Sequence, residues 1–258
     1  MAMKLLAADY DGTLKLGEEV TSRDIVAIRK WRQKGNLFVI DTGRSMESIL
    51  GEVHKYDIPA DYFITNNGGM VYDAKQNVMF ASYLDPVMSL DIMYLAKEIG
   101  NVVSYVSNDG YYRHRVIVDE TLGEKRYPGL KPDLSEEELM ASEKHAQFVI
   151  SMATKKEALQ LAEKINYYFS YMVVAYANKY VVDIVPRGIS KATGLDFLCR
   201  HIQMPKENVY TIGDADNDIP LMEYGIHGAC ISNAPKDVRR HAKEFFKDVA
   251  EMIEMNID

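Results

Sequence analysis

The sequence predicts an α/β protein in which a mainly parallel, doubly wound sheet is interrupted by a long α+β segment. Three observations carry this expectation. Near both ends of the chain, short apolar strands alternate with single helical patterns, the rhythm of right-handed crossovers. In the middle third that rhythm gives way to hairpin patterns. Finally, polar residues suited to binding follow directly on the carboxyl ends of the first strands, where open α/β sheets bind ligands.

The elements follow in order. Lys4 to Ala8 is a short buried strand ending at Asp9, with Gly12 as a turn residue. Thr21 and Asp24 form a capping pattern before Ile25, Ile28 and Trp31 at helical spacing, and Gly35 closes that helix. Asn36 to Ile40 is a strand, Asp41-Thr42-Gly43-Arg44 a strand-to-helix turn, and Ser45 opens a helix bearing Ile49, Leu50 and Val53. Tyr62 to Thr65 is the third strand, ending at Asn66-Asn67-Gly68-Gly69.

Beyond it, Val71-Tyr72 and Val78 to Ala81 make a small hairpin, and a helix follows Asp85-Pro86. Val102 to Ser107 pairs with Tyr111 to Val118 through Asn108-Asp109-Gly110. Gln147 to Ala153, a helix from Lys155 to Tyr168, and a hairpin of Tyr171 to Ala177 with Tyr180 to Val185 continue this antiparallel part. After Pro186-Arg187-Gly188 the alternation resumes. It runs through a helix from Ser190, a strand Val209 to Ile212, a helix near Ile219, a strand Ala229 to Ser232 and a helix from Pro235. The expected division is a first domain of residues 1–82 and 187–258, with 83–186 inserted as a second.

With 258 residues, 47% of them apolar and 26% charged, the chain can bury a substantial core and is neither disordered nor a disulfide mini-scaffold. A net charge of −8 argues against a nucleic-acid partner, so a small anion needs a local cationic pocket. The longest wholly apolar run, Tyr171 to Ala177, is far too short to span a membrane, and Asp9 interrupts any secretory leader, so a cytoplasmic location is expected. Cys199 and Cys230 lie in apolar contexts without metal-ligand spacing and are expected to be reduced and structural.

Chemistry concentrates in four segments. In Asp9-Tyr10-Asp11-Gly12-Thr13-Leu14, two carboxylates leave a strand end side by side, which suits a hard cation such as Mg²⁺ that offsets their repulsion and binds phosphate oxygens. The bland alternative is a carboxylate pair facing water. Gly213-Asp214-Ala215-Asp216-Asn217-Asp218 places Asp214 at another strand end. A calcium loop is excluded there, because an EF-hand requires Gly and Glu where Ile219 and Gly225 stand. Thr42-Gly43-Arg44 and Lys191 supply a hydroxyl, helix-start N–H groups and an ammonium, the groups a transferring phosphoryl requires.

In this order the four segments resemble the haloacid dehalogenase-like (HAD) phosphohydrolase superfamily. The long insertion between Arg44 and Lys191 is similar to that of subfamily IIB, with its α+β cap called C2B, and Ile64-Thr65-Asn66-Asn67-Gly68-Gly69 resembles the Cof-type subgroup. The resemblance implies a Rossmann-like core with an inserted cap. It makes Asp9 the nucleophile that forms an aspartyl-phosphate and Asp11 the acid and base. It implies Mg²⁺ held by Asp9, Asp11 and Asp214 with Asp218 in support, and a phosphoryl group held by the Tyr10 backbone, Thr42, Gly43, Lys191 and Asn217. Asp41 departs from the family, which has a small or apolar residue there, and its side chain is expected to point away from the site.

The expected function is Mg²⁺-dependent hydrolysis of a small phosphate monoester, a sugar phosphate or related metabolite, by a monomer or homodimer. A phosphosugar mutase of the phosphomannomutase type and a non-catalytic phosphometabolite sensor are the alternatives. P-type ATPases share the aspartyl-phosphate but need membrane helices. On the strand beginning at Tyr111, alternation puts Arg113 and Arg115 on one face, either as solvated arginines or as ligands for a substrate carboxylate or second phosphate.

Overall fold

The computed structural model describes residues 2–257. Contacts divide them into two compact units, one running up to Phe80 and resuming at Ser190, the other spanning Ala81–Ile189.

The first unit begins β1 (Leu5–Ala8), α1 (Ser22–Gln33), β2 (Leu37–Asp41), α2 (Met46–Tyr56), β3 (Tyr62–Thr65), β4 (Met70–Asp73) and β5 (Val78–Ala81). The second unit holds α3 (Pro86–Ile99), β6 (Val102–Asn108), β7 (Arg113–Ile117), α4 (Glu136–Met140), β8 (Gln147–Met152), α5 (Lys155–Tyr168), β9 (Val173–Asn178) and β10 (Val181–Pro186). The chain then returns to the first unit for α6 (Lys191–His201), β11 (Val209–Gly213), α7 (Ile219–Tyr224), β12 (His227–Ile231), α8 (Lys236–Arg239), β13 (Glu244–Phe246) and α9 (Val249–Asn256).

The first unit's sheet has the order β13-β12-β11-β1-β2-β3-β4-β5. Its members pair in parallel from β13 through β3, and β4 turns back antiparallel on β3. From β1 the chain winds one way to β2 and, after the second unit, the other way to β11, so the order reverses at the carboxyl end of β1. The central strands β1, β2, β3 and β11 are almost wholly buried and mainly apolar because both faces are covered. On one face Leu5, Ala7, Val39 and Ile64 pack with Leu195, Leu198 and Cys199 of α6 and Leu221 of α7. Elsewhere in the unit α1 buries Ile25, Ile28 and Trp31 and meets α9, where Asp24 accepts a hydrogen bond from the Ala250 amide at 2.9 Å. Trp31 is fully buried and donates its indole N–H to the Leu37 carbonyl at 2.9 Å, so truncating it to Ala removes about 3–5 kcal/mol.

The second unit is a five-stranded antiparallel sheet of order β7-β6-β8-β10-β9. One face, carrying Tyr105, Phe148, Ile150, Val182 and Ile184, packs on Ile92 and Met93 of α3 and Leu161 and Ile165 of α5. The parallel core and antiparallel second sheet are the fold class expected from the alternation. The local caps follow the sequence too. The side chains of Thr21, Thr154 and Ser190 accept from the amides three residues on, as a short hydroxyl at a helix start does.

Four details differ. The hairpin expected from Tyr171 starts at Val173, because the Met172 and Val173 amides close a turn on the Phe169 carbonyl and leave Tyr171 exposed. Thr21 is the only partner in its expected capping box, since Asp24 instead reaches the Thr21 hydroxyl and Ala250. The helix from Pro235 is a single turn. Beyond it, β13 and α9 complete the sheet edge and its cover, and a three-residue strand is too short to show a period. Cys199 and Cys230 are buried and unpaired. Among the described residues no helix is long and apolar enough to cross a membrane.

Candidate active site

The site assembles where β1, β2, β3 and β11 end side by side. Asp9 follows β1 and is held there by its amide, which donates to the Ile212 carbonyl of β11 at 3.0 Å. The chain then turns tightly. Leu14 N–H donates to the Asp9 carbonyl and Lys15 N–H to the Tyr10 carbonyl. Gly12 sits in this turn at φ +99°, where any Cβ would also collide with the Asp214 carboxylate, so glycine is required twice over.

Lys191 enters as the first residue of α6 and is wholly buried. Its ammonium donates to Asp9 Oδ1 at 2.5 Å and to Asp218 Oδ1 at 2.6 Å. Asp218 Oδ2 accepts from the amides of Asp214 and Ala215, each at 3.0 Å, so both of its oxygens are committed to holding the loop and the lysine. Asp214 accepts from the Thr13 hydroxyl at 3.0 Å. Oxygens of Asp9, Asp214 and Asp218 lie within 4.8 Å of one another. Asp9 Oδ2 is buried with no hydrogen-bond partner.

The electrostatics follow from burial. Burial would lower the Lys191 proton affinity, but Asp218, Asp9 and Asp41 outweigh it and hold the ammonium charged. Burial pushes the Asp9 carboxyl well up, the Asp218 and Asp214 carboxylates add to that, and Lys191 opposes them. Burial and Asp218 raise Asp214 as well. Three carboxylates against one ammonium leave a surplus of negative charge in a buried place. The donor set is all oxygen, with one oxygen of Asp9 orphaned and one of Asp214 beyond its Thr13 bond. That set fits a hard divalent cation.

A second group lies alongside. The Thr42 amide donates to the Ile64 carbonyl at 2.8 Å, and the Asn67 amide donates to the Thr42 carbonyl at 3.1 Å. Asn67 Oδ1 in turn accepts from Asn217 Nδ2 at 3.0 Å and lies against Gly43. Gly68, at φ +96°, packs so closely on the Ser190 carbonyl that a Cβ would overlap it, which seats this loop on the start of α6. Thr42, Gly43, Asn217 and Lys191 are thereby placed on one rim with Asp9 and Asp214.

The Asp11 carboxylate is not brought into the acidic group. Arg44 grips it with both arms of a fork, Nε to Oδ2 at 2.6 Å and a terminal nitrogen to Oδ1 at 2.7 Å. Tyr10 likewise turns its side chain away from the rim, and its hydroxyl donates to Glu52 Oε2 at 2.6 Å.

Asp41 corrects the expectation that it points away. It is fully buried, neither oxygen has a hydrogen-bond partner, and it lies within the field of Lys191, Asp218 and Asp9. Burial drives its carboxyl well above the usual range, against the pull of Lys191. Strand alternation explains the placement: Asp41 is two residues beyond Val39, whose side chain packs in the layer under α6. Arg115 is a second correction, since it is neither solvated nor open to a ligand. It is 7% exposed, donates to the Leu130 carbonyl at 2.7 Å and pairs with buried Glu124 at 3.4 Å. Arg113 has its guanidinium 5.9 Å from the Tyr127 ring centre.

Thr13, Arg44, Asn67 and Glu52 were given no role from the sequence. Thr13 and Arg44 stand inside the motifs quoted for their neighbours. Asn67 had a signal too, since paired asparagines before paired glycines at a strand end mark left-handed backbone, and both Asn66 and Asn67 adopt it. Glu52 on α2 had none.

The sequence matches the family of haloacid dehalogenase-like hydrolases over residues 6–252. Among curated proteins it is 24% identical to a 5-amino-6-(5-phospho-D-ribitylamino)uracil phosphatase of Bacillus subtilis, over 92% of this chain and 90% of that protein. It is 23% identical to an HMP-PP phosphatase of Serratia proteamaculans, over 90% and 84%. Among solved structures, a haloacid dehalogenase-like hydrolase from B. subtilis superposes with a TM-score of 0.83 at 19% identity, covering 98% of this chain and all of that one (100%). A HAD subclass IIB sugar phosphatase superposes with a TM-score of 0.81 at 21% identity, covering 99% and 100%.

Proposed function

Because the chain belongs to the haloacid dehalogenase-like hydrolases, we propose that it is a Mg²⁺-dependent phosphatase that hydrolyses small phosphate monoesters, sugar phosphates or related metabolites, through an aspartyl-phosphate on Asp9. The observation that carries this reading is the state of Asp9. It is anchored through one oxygen to Lys191, has its other oxygen unpartnered, and lies beside Asp214 at the end of the central strand.

Asp9 and Asp214 would hold the cation, with Asp218 fixing their loop and Lys191. The bound Mg²⁺ supplies charge neutralisation between carboxylate and phosphate and so lets one anion approach another. A carboxylate oxygen of Asp9 attacks phosphorus as the ester P–O bond breaks, and Asp11 gives its proton to the departing alkoxide. Water then attacks the phosphoryl group, Asp11 takes a proton from it, and the Asp9–phosphorus bond breaks to release phosphate and the free carboxylate. Lys191, Asn217, the Thr42 hydroxyl and the backbone N–H groups of Tyr10 and Gly43 hold the equatorial oxygens, where charge builds as the bonds change.

The decisive experiment compares p-nitrophenyl phosphate hydrolysis by the wild type in Mg²⁺, by the wild type in EDTA, and by Asp9→Asn in Mg²⁺. That variant keeps shape but removes the attacking charge, so essentially all turnover is expected to vanish while the circular dichroism spectrum is unchanged. Near wild-type turnover by Asp9→Asn removes the nucleophile assignment. A wild type that binds phosphate esters but turns none over restores the sensor reading, and dependence on a bisphosphate activator restores the mutase.

A further inference from the structure

Glu52 lies outside every segment that pointed to the site, yet three of its neighbours converge on it. On α2, its Oε2 accepts from the Tyr10 hydroxyl at 2.6 Å and from the Lys15 ammonium at 2.9 Å, while its Oε1 faces Arg44 at 3.4 Å. Arg44 is the residue whose fork grips Asp11, and its guanidinium lies 5.0 Å from the centre of the Tyr10 ring. Tyr10 and Lys15 belong to the same tight turn that carries Asp11. The turn and the arginine therefore have one common anchor, a carboxylate only 18% exposed.

We propose that Glu52 is a positioning residue for Asp11. Its charge draws on Arg44 through Oε1 and so shares the guanidinium that holds both Asp11 oxygens, and through Tyr10 and Lys15 it ties down the turn on which Asp11 stands. Asp11 is 43% exposed, and both of its oxygens lie in the Arg44 fork. To donate a proton it must free an oxygen from that fork and bring it within hydrogen-bond reach of the leaving oxygen, so the hold that Arg44 keeps on it and the placing of its turn are rate-relevant in a way that binding of the phosphoryl group is not. Tyr10 adds rigidity because its ring is wholly buried, which fixes the hydroxyl that Glu52 accepts. This inference rests on the reading of Asp11 as the acid of the proposed phosphatase.

The test uses kcat/KM, which reports on the steps up to departure of the leaving group, measured over substituted phenyl phosphates from p-nitrophenyl to unsubstituted phenyl. The p-nitrophenolate departs without a proton, whereas phenolate needs one more. Asp11→Asn is the benchmark, and the reading of Asp11 requires that its loss grow steeply toward phenyl phosphate. Glu52→Gln preserves the volume of the side chain and its ability to accept from Tyr10, so it keeps the fold while discarding the charge that draws on Arg44. It is expected to lose roughly tenfold with phenyl phosphate and less than threefold with p-nitrophenyl phosphate, part of the 10²–10⁴-fold that a placed acid supplies. Made in the Asp11→Asn background, it should cost less than about twofold, because a residue that acts through Asp11 has nothing left to position. Equal loss on all esters, no loss on any, or a full additional loss in the Asp11→Asn background overturns the role of Glu52. Absence of any leaving-group trend in Asp11→Asn itself overturns the reading of Asp11, and the positioning role with it.

Discussion

Replacing Lys191 by Met removes an ammonium while filling nearly the same space, and the structure sets the size of the consequence. The ammonium is wholly buried and lies at 2.5 Å and 2.6 Å from two carboxylates that are themselves 7% and 1% exposed. Deleting one partner of such a buried group leaves unpaired charge and costs about 3–5 kcal/mol. For a unit of this size that corresponds to a fall in melting temperature of roughly 6–20 °C. The cost should depend on pH in a definite direction. Asp9 already has its carboxyl raised by burial and by Asp218 and Asp214, with Lys191 the opposing charge, so in the variant it rises further. Above that raised value the Asp9 carboxylate is charged and unpaired and the full cost is present. As pH falls through it Asp9 takes up a proton and the cost fades. Thermal unfolding of both proteins in EDTA at pH 5 and pH 8, followed by circular dichroism, measures this. A gap at pH 8 equivalent to less than about 1 kcal/mol, or one that widens toward pH 5, refutes the reasoning. Turnover of p-nitrophenyl phosphate by the same variant should fall at least about a hundredfold, the scale of deleting a preorganised charge that faces the transition state.

Asp214→Asn should raise the Mg²⁺ concentration for half-maximal activity at least about tenfold, and an unchanged Mg²⁺ titration would count against Asp214 as a ligand. Arg115→Ala strands buried Glu124, which also accepts from the Ser104 and Ser151 hydroxyls, and should lower the stability of the second unit by about 3 kcal/mol in a denaturant titration. A change below about 0.5 kcal/mol would show that the arginine is not structural. His114 lies between Asp133 and Asp109. Burial would lower its proton affinity, but these carboxylates raise it. Its contribution to stability is therefore fully present below about pH 6.5 and is lost as pH rises through the raised value. The melting-temperature gap between wild type and His114→Gln should be widest near pH 5 to 6 and close in alkali, and a gap independent of pH would exclude the histidine.

Much of the fold was legible because its signals are local. A helix start is readable when a hydroxyl caps an amide three residues on, as at Thr21, Thr154 and Ser190, and a buried strand is readable as an apolar run such as Leu5 to Ala8. Order along the chain was enough to place Asp9, Thr42 and Asp214 at strand ends, since parallel strands joined by right-handed crossovers all finish on the same edge. The motifs in the sequence hold Asp9, Asp214, Asp218 and Lys191, which the structure brings together, whereas Asp11, expected among the metal ligands, has its carboxylate on Arg44.

Only the tertiary structure decided which side chains those residues meet. Arg44 lies 33 residues from Asp11 and Asn217 lies 150 from Asn67, and no periodicity couples positions so far apart. The fold also overruled two local readings. Asp41 looked free to point away, and the packing of β2 beneath α6 puts it in the field of Lys191. Arg115 looked solvated on an alternating strand, and the segment bearing Glu124 and Leu130 closes over it. The physical reason is the same in both cases. Alternation and capping specify which way a side chain leaves its own backbone, whereas its partners, its burial and hence its charge state depend on what the rest of the chain brings opposite it.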